Sequence, residues 1–140
     1  MFQLPDNFIS RMQLTLGDET SDFVNSFFSM PPVSIHLHPT KSSCIDKTIL
    51  REQVAWNPNG FYLNERPSFT ADPCFHGGAY YVQEASSMSI VEALYSLPTQ
   101  DLSSCKILDL CAAPGGKSTL LLTYLNGQGL LVSNETIPSR

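Results

Sequence analysis

No stretch of this 140-residue chain approaches the roughly 20 consecutive apolar residues that cross a bilayer. The opening segment MFQLPDNFIS also lacks the basic start and apolar core of a secretion signal. No membrane association is therefore expected, and the cytoplasm is the expected compartment. Basic residues are scarce as well: 8 Lys and Arg face 13 Asp and Glu, a formal charge of −5. That balance argues against strong nonspecific affinity for a phosphate backbone, which needs clustered cations. The four cysteines, Cys44, Cys74, Cys105 and Cys111, include no C-x-x-C pair, so a zinc ribbon is excluded and free thiols are expected. Internal repeats and low-complexity tracts are absent.

Hydrophobic residues make up 42% of the chain, enough to build a core. The length suits one ordinary domain, or a small domain with part of another. Phe8, Met12 and Leu16, with Ile9 beside them, mark one apolar face of a first helix that Gly17 can end. Asp18 is the expected N-cap of a second helix, with Phe23, Phe27 and Phe28 on its buried face and Pro31-Pro32 as its limit. Val33, Ile35 and Leu37 alternate with Ser34, His36 and His38, the period-2 pattern of a strand with one face buried. His36 and His38 then share the other face, toward solvent or hydrogen-bonded. No third ligand stands near them, so no metal is expected.

Residues 42–50 suggest another helix, and Phe61 to Leu63 around Asn57-Pro58-Asn59-Gly60 suggest strands joined by a turn. Residues 1–74 therefore read as an α+β domain. Beyond Phe75 the texture changes. Residues 83–97 have helical spacing, and the last third reads as strand 106–110, loop 111–116, helix 117–125 and strand 130–133, one βαβ unit. Residues 75–140 are expected to open a second, α/β domain.

The loop between that strand and helix, Cys111-Ala112-Ala113-Pro114-Gly115-Gly116-Lys117, is rich in small residues. Gly115 and Gly116 permit unusual backbone angles and close ligand approach, and free N–H groups at a helix start favour an anion. Glu135 follows the next strand, where doubly wound nucleotide-binding folds put an acid on ribose hydroxyls, so an adenosine-containing ligand is expected. A tight turn with a solvated acid is the plainer alternative. A phosphate-binding P-loop also competes through Gly116-Lys117-Ser118, but its first glycine would fall at Cys111.

Residues 108–117 (LDLCAAPGGK) resemble motif I of the NOL1/NOP2/Sun family of RNA 5-methylcytosine methyltransferases. Residues 78–88 (GAYYVQEASSM) resemble the family's segment before motif I, and Leu4-Pro5 through Arg11-Met12 its N-terminal helix. The resemblance implies a Rossmann-like methyltransferase domain using S-adenosylmethionine, with Cys111 to Lys117 around the methionine and ribose and Glu135 on the ribose hydroxyls. It implies RNA as partner, ribosomal RNA of the small subunit first, with RNA contact by residues 1–74. His36 and His38 replace the Arg and Asn usual in the family's S-I-R-x-N-P segment. The implied chemistry is attack of a cysteine thiolate on cytosine C6 followed by methyl transfer to C5. The family's working cysteines lie downstream of motif I, so no catalytic residue is expected here, and Cys111 is read as a small buried loop residue. A non-catalytic RNA-binding module and a degenerate P-loop fragment are the alternatives. Leu120, Leu121, Leu122, Leu125, Leu130, Leu131 and Val132 are expected to lack partners, so self-association, or disorder beyond about residue 105, is expected.

Overall fold

The computed structural model describes residues 3–98, 101–137 and 139, which divide into two compact units, Met1–Pro31 and Pro32–Arg140. In the first, helix α1 (Asp6–Leu16) turns through Gly17 at φ +54° into a 3-10 turn, Gly17–Glu19, and helix α2 (Thr20–Ser26). Phe8, Phe23 and Phe27 hold the two helices together through ring contacts at 5.2–6.2 Å. Asp18 makes no cap: it lies inside the 3-10 turn, and Thr20 closes that turn by donating its hydroxyl to Gly17 O at 2.7 Å. Phe28, expected on the buried face, lies beyond the end of α2 and is exposed.

In the second unit, strands β1 (Ser34–Leu37), β2 (Leu50–Gln53), β3 (Gly60–Leu63) and β4 (Tyr80–Val82) form an antiparallel sheet in the order β2-β3-β1-β4. The expected helix over 42–50 is instead two 3-10 turns, Ser42–Cys44 and Lys47–Ile49, the second capped by Asp46. Short polar side chains there bond the local backbone in competition with a helix. One sheet face carries Ile35, Ile45, Leu63, Phe69, Ala79 and Tyr80 as a core. Beside it, the short helix α3 (Pro73–His76) is capped by Asp72, which also accepts a 2.6 Å hydrogen bond from the Tyr80 hydroxyl. That bond holds the Asp72 carboxyl below its ordinary value. Cys44 and Cys74, expected as free thiols, form a disulfide with Cα atoms 6.3 Å apart; their 30-residue separation hid the pairing that the sheet creates.

Residues 85–89 form a 3-10 turn leading into α4 (Ile90–Tyr95), shorter than the helix expected over 83–97. Then β5 (Lys106–Asp109), α5 (Gly116–Leu125) and β6 (Leu130–Ser133) make the expected βαβ unit, with β5 and β6 parallel. A mixed α+β sheet followed by the start of a Rossmann-like fold is thus what the chain builds. The expected break at 74/75 is not a break in packing: β4 pairs with β1, and Val54, Ala85, Met88, Val91 and Leu120 form one core.

That second core changes two expectations. Leu120, Leu121 and Leu125 are buried, whereas Leu122, Leu130 and Val132 are exposed together with Leu108 and Leu110. His36 does not face solvent: it is only 4% exposed, because its sheet face is also covered. Burial, reinforced by the neighbouring His38, lowers its pKa to about 4. No helix among the described residues is long and apolar enough to cross a membrane.

Two outcomes follow. The unfolded chain protonates His36 near pH 6.5 and the folded chain only near pH 4, so stability is complete above pH 6.5 and declines as pH falls toward 4. Urea titrations across that window should show this decline, at most about 1.4 kcal/mol per pH unit from this group, and His36→Gln should flatten it. The exposed leucines around β5 and β6 should also drive self-association, seen as a concentration-dependent sedimentation coefficient. A constant monomer value at high concentration would contradict that expectation.

Candidate cofactor site

Strand β5 ends in Asp109, whose carboxylate is buried because the loop turns back over it. One oxygen accepts from Cys111 N at 3.2 Å and the other from the Ser118 hydroxyl at 2.7 Å. The strand end, the loop and the first turn of α5 thus share one acceptor group. From the neighbouring chain, Asn134 N donates to Asp109 O at 2.8 Å, and Asn134 O accepts from Ala112 N at 2.9 Å. The loop is stitched to both strands of the parallel pair.

Beyond Ala112 the chain passes a cis Ala113–Pro114 peptide and reaches Gly115 at φ +110°, a backbone angle that side chains other than glycine rarely adopt. Gly116 opens α5 against the Gln83 carboxamide: an added Cβ would stand 3.2 Å from Gln83 Nε2. The Tyr81 hydroxyl donates to Pro114 O at 2.9 Å. Both glycines therefore have a reason within the protein, one conformational and one steric, whereas the sequence alone suggested ligand approach. The first N–H groups of α5 have no intrahelical acceptor and carry the positive end of the helix dipole.

The expected site residues converge. Glu135, half-buried just after β6, accepts from Ala113 N at 3.2 Å through one oxygen and from Ile137 N at 2.9 Å through the other. A carboxylate and a helix N-terminus thus flank one small-residue loop. Lys117 is exposed on the first turn of α5. Cys111, expected to be buried, is exposed, since its main chain rather than its thiol is tied to Asp109. Sequence reasoning missed Asp109, Ser118, Tyr81 and Gln83 as supports of the loop. Only an acid ending an apolar strand hinted at the first; the last two come from another sheet. Among the described residues, no group of three or more His, Cys, Asp or Glu side chains could hold a metal ion.

A parallel strand, glycine turn, helix and second strand leading to an acid at the loop place this half of the chain at the start of a Rossmann-like methyltransferase fold. Comparison gives the particular family. The sequence model of the N-terminal domain of the 16S rRNA methyltransferase RsmF matches residues 4–85, and the chain belongs to that family. It is 33% identical to the ribosomal RNA small subunit methyltransferase F of Shewanella loihica, covering 100% of this chain and 31% of that protein. The corresponding protein of Vibrio cholerae is also 33% identical, over 98% of this chain and 31% of its own length. The chain therefore spans about a third of these relatives. The crystal structure of PH0851 superposes with a TM-score of 0.75 at 25% identity, covering 97% of this chain and 31% of its own. A methyltransferase homologue from Pyrococcus horikoshii shares the fold, with a TM-score of 0.62 at 24% identity over 93% of this chain and 48% of its own.

Removing the Asp109 carboxylate should loosen the whole arrangement. Asp109→Ala is expected to lower the unfolding free energy by about 1.5–3 kcal/mol, the scale of hydrogen bonds to a charged group. Gly115→Ala should cost about 1–2 kcal/mol through its left-handed backbone angle. Urea denaturation of both variants checks this, and unchanged midpoints would contradict it.

Proposed function

We propose that this chain provides the S-adenosylmethionine-binding part of an RNA (cytosine-C5) methyltransferase acting on ribosomal RNA. The observation that carries the reading is the convergence of the Glu135 carboxylate and the α5 N-terminus on the 111–117 loop. The donor set suits that cofactor: N–H groups at Gly116 and Lys117 for an amino-acid carboxylate, and an acid beside them for ribose hydroxyls. When bound, the cofactor would supply an electrophilic methyl group on sulfur. Cys111 to Lys117 would wall its methionine and ribose, and Asp109 and Tyr81 would keep that wall from moving.

Glu135 would turn a carboxylate oxygen from Ala113 N toward the ribose, an exchange of one acceptor contact for another. Cys111 would line the loop with its exposed thiol and take no part in attack. No catalytic residue is assigned to this chain. The ribosomal substrate follows the relatives, each called a ribosomal RNA small subunit methyltransferase. Residues 1–74 would contact RNA and residues 75–140 the cofactor, a division of labour rather than of packing.

Calorimetric titration with S-adenosylhomocysteine tests the reading, with ATP and magnesium as control. The chain should bind the first and not the second. Glu135→Ala should weaken binding about tenfold or more, and Gly115→Val should abolish it; Cys111→Ser should leave it intact. Binding of ATP and magnesium alone would support a P-loop and overturn the proposal.

A further inference from the structure

A cavity of about 430 Å³ lies between β1, β4 and one face of α5, outside the loop just described. Its size falls within the roughly 300–1,000 Å³ of small-ligand sites. From α5 it is lined by Thr119, Leu122, Thr123 and Asn126, spaced three and four apart and so on one helix face. From the sheet come His36 and Tyr81, which stand directly opposite each other across the β1–β4 ladder. His36 is the informative member. The residue is only 4% exposed yet borders the cavity. A neutral imidazole has one donor and one acceptor nitrogen, and buried polar groups are ordinarily satisfied. A ligand in the cavity can use either nitrogen.

We propose that this cavity takes one unpaired nucleobase of the RNA, its edge hydrogen-bonded to His36 and its face against Tyr81. The proposal rests on RNA being the substrate class, as argued above. Sequence-specific proteins take single-stranded RNA by splaying bases onto aromatic and histidine side chains and reading their edges. The walls here are apolar and aromatic, with hydroxyls from Thr119 and Thr123 and the Asn126 carboxamide as further edge-reading groups. At the mouth, Lys41 Nζ lies 4.0 Å from where a Cβ on Gly78 would stand, a cation beside the opening suited to the attached phosphate. Asn126 lies roughly 15 Å along α5 from Gly116, at 1.5 Å per residue. The captured base would therefore position the RNA beside the cofactor loop and is distinct from the base that is methylated.

The test is fluorescence anisotropy of the whole chain with labelled single-stranded hexaribonucleotides of each base, at low and at moderate salt. Thr123→Trp fills the cavity, and His36→Phe keeps a ring while removing both nitrogens. The expected result is binding that falls about tenfold or more in both variants. S-adenosylhomocysteine titrations should not change in either. If Thr123→Trp does not fold by circular dichroism, His36→Phe decides alone. RNA binding equal in the variants and the parent overturns the cavity while leaving the RNA reading in place. No RNA binding by a parent chain that still binds S-adenosylhomocysteine overturns both the cavity and the RNA contact, and leaves the cofactor site standing.

Discussion

The buried carboxylate of Asp109 is the interaction on which the geometry of the 111–117 loop depends. It ends a parallel strand, receives the main-chain N–H of Cys111 and receives the hydroxyl of Ser118 one turn into the following helix. A charge taken out of water is costly unless it is fully hydrogen-bonded, so the loop and helix must come to it. Asn134 repeats the logic from the neighbouring segment with its main-chain N–H and C=O, and its side-chain amide donates to Leu110 O at 3.3 Å. The left-handed Gly115 then lets the chain leave the strand, pass this clasp and enter α5 within a few residues.

The clasp would be incomplete without the antiparallel sheet. Tyr81 and Gln83 stand at and just beyond β4, on the segment that pairs with β1, and they support the loop at Pro114 and Gly116. Val54 and Met88 meet Leu120 of α5 in one core. The 111–117 loop is thus braced by residues 30 or more positions upstream. A chain cut at the compositional change near residue 75 would keep Tyr81 and Gln83 but lose β1, which pairs with their strand, and Val54 from the shared core. The same packing buries His36 and creates the cavity beside α5, so loop support and a second recognition site have one structural cause.

Local chemistry was legible wherever one element satisfied its own demands. The period-2 pattern of β1, the Asn57-Pro58-Asn59-Gly60 turn before β3 and the strand-loop-helix-strand order of residues 106–133 all appear where the residues put them. Errors arose where a partner from far along the chain intervened. His36 was placed outward because alternation shows only that two faces differ, not that both are covered. Cys44 and Cys74 looked unrelated because α3 and the turn after β1 meet only once the sheet forms. Residues 42–50 and 85–89 form 3-10 turns where helix is expected, with the Asp46 side chain capping the turn at Lys47–Ile49.

By itself, then, the sequence determined the strand β1, the strand-loop-helix-strand order of residues 106–133, the position of the glycine turn and the acid that meets it. Those depend on backbone sterics, apolar period and side-chain type, which each residue carries wherever it stands. Only the tertiary structure decided that Gly116 faces Gln83, that Cys111 is exposed while Asp109 is buried, and that a neutral histidine borders a cavity. Those are properties of pairs distant in sequence, and burial, partner choice and protonation exist only once folding has brought the pair together.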